Sequence, residues 1–190
     1  MTLNRWTFPL FACAALLATP PAGAVVTVLD GGLGRDCYLA VRSARAPYEA
    51  IETCTRAIEE SRLRTRDRAA TYANRGIVFM RLGDLDRAIR DFERSLDLQP
   101  DLLETKINYG AALCTLKRYP EALALLDDGV AAEDFESRAI AHYNRAIVRE
   151  AMGDVEGAYA DYSAALETNP LLANAARQLE RFRVVTPGEG

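Results

Sequence analysis

The sequence predicts an all-α fold, a row of antiparallel helix hairpins stacked side by side. Three observations predict it. Apolar residues make up 49% of the 190-residue chain and charged residues 26%, with alanine, leucine, arginine and glutamate prominent, a mixture that favours helix. Small and polar residues return at fixed intervals inside helical stretches. Glycine, proline and aspartate stand where those helices should stop and restart.

The interval is read from "YANRG" (72–76), "INYG" (107–110) and "YNRA" (143–146). Asn74 to Asn108 is 34 residues and Asn108 to Asn144 is 36. Gly76, Gly110 and Ala146 keep this register, as do Ala88, Ala122 and Ala158, and the bulky Phe92, Leu126 and Tyr162. An Asn and a Gly inside a helix together cost about 1–2 kcal/mol against alanine. Close packing must offset that cost, so the Gly76 column is expected to face the Ala88 column of a paired helix. Within units one and three, Gly83-Asp84 and Gly153-Asp154 supply a left-handed helix end followed by a side-chain cap. The middle unit has Pro120 near a helix start instead. Pro100 and Pro170 close the first and third units, because the residue before proline avoids the helical region.

A 34-residue helix–turn–helix carrying Tyr72, Gly76, Phe79, Ala88, Phe92 and Pro100 resembles the tetratricopeptide repeat (TPR). The second unit has Gly110, Leu113, Ala122 and Leu126, with Asp134 in place of the proline. The third has Ala146, Ala158, Tyr162 and Pro170. Tyr72, Lys106 and His142 replace the family's tryptophan. The resemblance implies a TPR α-solenoid, a right-handed superhelix with units at 69–102, 103–136 and 139–172. Its concave groove, lined by the first helix of each unit, would bind a protein or peptide without catalysis.

Periodicity turns Tyr72, Gly76 and Phe79 toward the paired helix. It therefore sends Ala73, Asn74, Ile77 and Arg81 toward the hollow, with Ile107, Asn108 and Ala111, then Tyr143, Asn144 and Ile147. An Asn amide offers two donors and an acceptor, enough to hold an extended peptide backbone without selecting a side chain. The three amides would form a ladder for a ligand, or bond neighbouring side chains instead; both readings stand. TPR domains that clamp the carboxylate of chaperone tails need bases beside the asparagines, and Ala73, Ile77 and Ile140 occupy such places here. The facing of Arg75 and Arg145 is left open.

Upstream, Ala50, Cys54 and Ala57 lie 38 residues before Ala88, Phe92 and Ser95, so 35–64 reads as a degenerate first hairpin. Cys37 and Cys54 are equidistant from a turn at Arg45-Ala46 and sit on apolar faces. They would form a disulfide in an oxidising compartment, or remain two buried thiols. The bond would contribute about 3 kcal/mol for a loop of this size. Cys114 reads as a small packing or groove residue. Downstream, an apolar stripe makes 171–183 a capping helix, with 184–190 a disordered tail.

Residues 1–24 read as a signal peptide. An apolar run from 8 to 18 precedes Ala22 and Ala24, with cleavage before Val25. The run is shorter than the ~20 residues a spanning helix needs. Lipid attachment at Cys13 is the alternative, opposed by bulky Phe11 and by the apolar run continuing past the cysteine. Residues 25–34 are expected to be a flexible mature N-terminus. Without Arg5 the net charge is −5, spread as +2 over 25–94 and −7 over 95–190, which is no nucleic-acid footprint. No N-glycosylation sequon is present, which favours a bacterial periplasm.

No nucleophile, base and orienting group can be assembled, and the single histidine, His142, reads as packing. No cysteine or histidine spacing suggests a metal, and no cofactor is expected. Arg62, Arg64, Arg66 and Arg68 read as a solvated linker, or as a basic edge for acidic partners or anionic lipid heads. The expectation is an exported, non-catalytic interaction module with a protein or peptide partner in its groove, and membrane contact only if lipidated. Self-association through the repeat edges is the alternative, and an enzyme a remote one.

Overall fold

The computed structural model describes residues 24–29 and 31–182. Of the predicted signal peptide 1–24, residues 1–23, including Cys13, lie outside the described residues, as do the predicted tail 184–190 and the last residue of the predicted cap, 183. Among the described residues, nine helices follow in order. The pairs are α1 (Leu33–Ser43) with α2 (Pro47–Glu60), α3 (Thr65–Arg81) with α4 (Leu85–Leu98), α5 (Leu103–Thr115) with α6 (Tyr119–Gly129), and α7 (Phe135–Ala151) with α8 (Val155–Thr168). The short α9 (Ala173–Leu179) closes the array. Each helix packs on its hairpin partner, and each second helix packs on the first helix of the next hairpin, giving a solenoid without strands among the described residues.

The small columns sit where the hairpins close. A Cβ on Gly76 would lie 2.7 Å from Phe92 Cε1 and 3.2 Å from the Ala88 carbonyl oxygen. A Cβ on Gly110 would meet Leu126 Cγ at 2.7 Å and the Ala122 carbonyl at 3.2 Å. Only a hydrogen fits at either place, so the packing that offsets the helix-propensity cost of these glycines is found. In the third unit Ala146, Ala158 and Tyr162 share one buried cluster.

Two starts differ from expectation. Helix α3 begins at Thr65 and α7 at Phe135, four residues before the predicted units. At α7 the reason is Asp134, whose carboxylate accepts the Ser137 backbone N–H at 2.8 Å. That bond holds the Asp134 carboxyl below its ordinary pKa. Asp134 is thus a helix cap, not merely a lost proline. At α3 the arginine run is partly structural: Arg68 donates from Nη1 to the Ile58 carbonyl at 2.8 Å and from Nη2 to that of Ser61 at 3.3 Å, satisfying the end of α2. The terminal helix is shorter than predicted, but Phe182 beyond it is buried against Tyr159 and Tyr162, with ring centroids 5.7 and 5.8 Å away.

Cys37 and Cys54 are joined in a disulfide between α1 and α2, with a Cα–Cα distance of 4.7 Å and both residues fully buried. Further along, Arg75 and Asp91 form a two-bond ion pair, with both distances 2.8 Å. Arg145 and Asp161 repeat it at the same spacing, at 2.8 and 2.7 Å. His142 and Arg149 add bonds to Asp161 at 3.1 and 2.8 Å. In the middle unit the same two columns hold Tyr109 and Leu125, and no ion pair forms there.

Candidate functional site

The hollow is built from α3, α5 and α7, and its first two units are occupied. Residues 24–29 of the same chain run through it as an extended strap. The strap alternates: Ala24, Val26 and Val28 are buried, while Thr27 and Leu29 face outward. Val26 and Val28 share a cluster with Ala69, Ala70, Ala73 and Leu102, and Ala24 joins one containing Ile107 and Ile140. A side-chain period of two is what an extended backbone imposes.

The Asn column holds this strap. Asn74 Oδ1 accepts the Val26 N–H at 2.9 Å, and Asn74 Nδ2 donates to the Val26 carbonyl at 2.8 Å. Asn108 Nδ2 donates to the Ala24 carbonyl at 2.8 Å and also to Glu104 of its own helix at 2.7 Å. Asp67 in the first turn of α3 accepts the Leu29 N–H at 2.8 Å. Gly34 makes room at the strap's end, since a Cβ there would press on Leu63 at 3.0 Å and Val28 at 3.2 Å. The expectation of a flexible segment over 25–34 is therefore corrected: its first residues are bonded into the hollow, and its last two begin α1.

Other predicted groove residues are placed differently from expectation. Ile77 packs in the cluster of Cys37 and Val41, and Arg81 Nη1 donates to the Val41 carbonyl at 2.8 Å. Burial lowers the Arg81 pKa from its ordinary value. Both residues are claimed by α1, because the degenerate unit is a full hairpin packed against α3. Ala111 belongs to the same cluster as Ile77, and Ile107 is fully buried in the cluster that binds the second unit to the third. Tyr143 stacks near Tyr162 at 5.8 Å with Ile147 packed beside that cluster, and burial raises the Tyr143 pKa. Ala73, Asn74, Ile107 and Asn108 thus share clusters or bonds with the strap, whereas Ile77, Arg81 and Tyr143 are held in other core contacts. Arg75 and Arg145, whose facing was open, are bound to Asp91 and Asp161.

Among the described residues, two buried side-chain oxygens in this region lack a partner. Asn108 Oδ1 and Asn144 Oδ1 are buried and receive no hydrogen bond. Buried acceptors are ordinarily satisfied, so these two mark places where donors fit. Sequence reading missed Asp67 and the strap itself. The signal available for the strap was the β-branched run Val25, Val26, Thr27 and Val28.

Comparisons with known proteins agree with this architecture. Residues 69–102 match the tetratricopeptide repeat family. Residues 69–102 are thus one tetratricopeptide repeat, and the chain shares the fold of proteins built from such stacked helix hairpins around a concave face. Among solved structures it is similar to a MamA fragment from Desulfovibrio magneticus RS-1, at 23% identity and a TM-score of 0.60, over 78% of this chain and 82% of that one. The first TPR of Spaghetti (RPAP3), bound to the HSP90 peptide SRMEEVD, is similar at 24% identity and a TM-score of 0.56, over 61% of this chain and 90% of that one. No curated protein matches the chain.

Proposed function

We propose that the protein is a non-catalytic scaffold that holds an extended segment of a partner protein along its concave face. The observation that carries this reading is the pair of bonds from Asn74 to the N–H and carbonyl of one residue, Val26. Such a pair grips backbone alone, so any extended segment of suitable width can use it. The TPR of RPAP3 bound to an HSP90 peptide lends the reading support by fold. That peptide is acidic, whereas Arg75, Arg81 and Arg145 on the helices that build this hollow are already bound within the chain. A partner segment with little charge suits this groove better.

The reading includes export, with the leader removed near Ala24 and the mature chain in the periplasm. A buried Cys37–Cys54 bond is at home in such an oxidising compartment. Mass analysis of the protein recovered from its producing cells tests this. A species starting at Val25 supports export, and a species retaining residues 1–24 refutes it. Binding is tested by affinity capture from envelope extract with the native chain and a variant carrying Asn108→Ala and Asn144→Ala. A partner held by the native chain and lost by the variant is expected. Equal capture by both removes the groove from the function.

A further inference from the structure

Residues 24–29 behave as a ligand that the chain supplies to its own groove. Asn74 fixes the register by taking both backbone groups of Val26. Asn108 takes the carbonyl of Ala24, two residues earlier, so one helical repeat corresponds to two residues of strap. Selection comes from the alternate side chains. Val26 and Val28 are each 2% exposed, over a floor of Ala69, Ala70 and Ala73. A charged or amide side chain pressed onto that floor would lose its water without a partner. At the third unit the same spacing continues to Asn144, whose buried Oδ1 has no donor, like that of Asn108.

We propose that the hollow selects extended peptides with a small aliphatic side chain at every second residue, and that residues 25–29, the part of the strap left by the cleavage given above and still held by Asn74 and Asp67, are its resident, displaceable occupant. The inference rests on the groove-binding function given above and names its ligand. A partner strand enters over Asn144 and Asn108, supplies the N–H donors those two oxygens lack, and continues over Asn74 as the strap peels away. Because the strap is joined to α1 within a few residues, its effective concentration is on the order of millimolar. A free peptide of equal intrinsic affinity competes only near millimolar concentration, whereas a partner that also fills the third unit displaces the strap at lower concentration.

The probe is a fluorescent hexapeptide, Ala-Val-Val-Thr-Val-Leu, blocked at both ends. The full chain carrying Val26→Asp and Val28→Asp, which releases the strap, is expected to bind this probe at least about tenfold more tightly than the native chain, by fluorescence anisotropy. Adding Asn74→Ala should abolish the gain. A released variant with a native helical spectrum that ignores the probe overturns the proposal. So does equal binding of a control peptide with lysine at the two buried valine positions. If the released variant loses its helical spectrum, the native chain decides. Excess probe should speed hydrogen exchange at the Val26 and Leu29 amides, and unchanged exchange at millimolar probe overturns the proposal. Failure of these peptide assays while partner capture still depends on Asn108 and Asn144 removes the ligand pattern and leaves the binding function standing.

Discussion

Replacing Gly76 with alanine sets two opposed effects against each other at one methyl group. Alanine in a helix interior is favoured over glycine by about 1 kcal/mol. Against this, the new Cβ would stand 2.7 and 2.9 Å from two atoms of the Phe92 ring and 3.2 Å from the Ala88 carbonyl. Phe92 is fully buried and lies 6.1 Å from Tyr109, so its ring cannot swing clear without disturbing the second unit. Overpacking of this kind costs about 1–3 kcal/mol. The clash wins, and Gly76→Ala is expected to destabilise the fold by about 1 kcal/mol after subtracting the propensity gain. With a denaturant slope of about 1–3 kcal/mol per molar urea, the midpoint should fall by about 0.3–1 M. Trimming the facing ring with Phe92→Leu in the same chain should recover part of that loss, which a double-mutant cycle would show as coupling. A midpoint that rises in Gly76→Ala alone would mean that the hairpin is looser than its geometry implies, and the packing account of the glycine column would fail.

Other perturbations probe the remaining fastenings. Reducing the Cys37–Cys54 bond, or replacing both cysteines with alanine, should lower stability by about 3 kcal/mol in urea unfolding, and an unchanged midpoint would show that the bond constrains nothing. Asp161→Asn leaves Arg145, Arg149 and His142 facing a neutral amide and should cost about 3 kcal/mol, the low end for breaking a buried pair because the arginines keep some water. Burial alone would raise the Asp161 carboxyl, but hydrogen bonds from His142 and Arg145 and the charges of Arg145 and Arg149 outweigh it and hold the pKa below its ordinary value. Its stabilisation is therefore present above the unfolded pKa, near about 3.9, and is lost as pH falls through the lower folded value. Urea midpoints taken from pH 6 down to pH 2 should show a smaller acid loss in Asp161→Asn than in the native chain, and parallel curves would reject this. Asp134→Ala removes the α7 cap and should cost about 1 kcal/mol, read as a lower thermal midpoint.

The repeat was legible because it writes one packing rule several times. Gly76 and Gly110 are small for a reason visible in the columns opposite them, Ala88 with Phe92 and Ala122 with Leu126. The disulfide was legible because a helix hairpin places residues equidistant from its turn side by side. The ion pairs were present in the alignment as Arg75 with Asp91 and Arg145 with Asp161, but charges on helices read as solvated until their burial is known. The faces of Ile77 and Arg81 were misjudged because a degenerate hairpin still packs like a full one, and α1 covers what periodicity left open. The strap was hidden for a different reason. Its β-branched run from Val25 to Val28 is a strand signal with no strand to pair with among the described residues, and its hydrogen-bond partners are side chains 38, 48 and 84 residues away. Asn reads as a ladder for something, and nothing local says that the something is the chain itself.

The covalent link between α1 and α2 makes the two ends of the array unequal. One end is riveted, while the other is closed by α9, a helix of seven residues. In a linear stack coupled between neighbours, the weaker end sets where unravelling starts. Heat, mechanical tension or an attacking protease would strip hairpins from the C-terminal side first, and recovery would zip outward again from a template whose first two helices never part company.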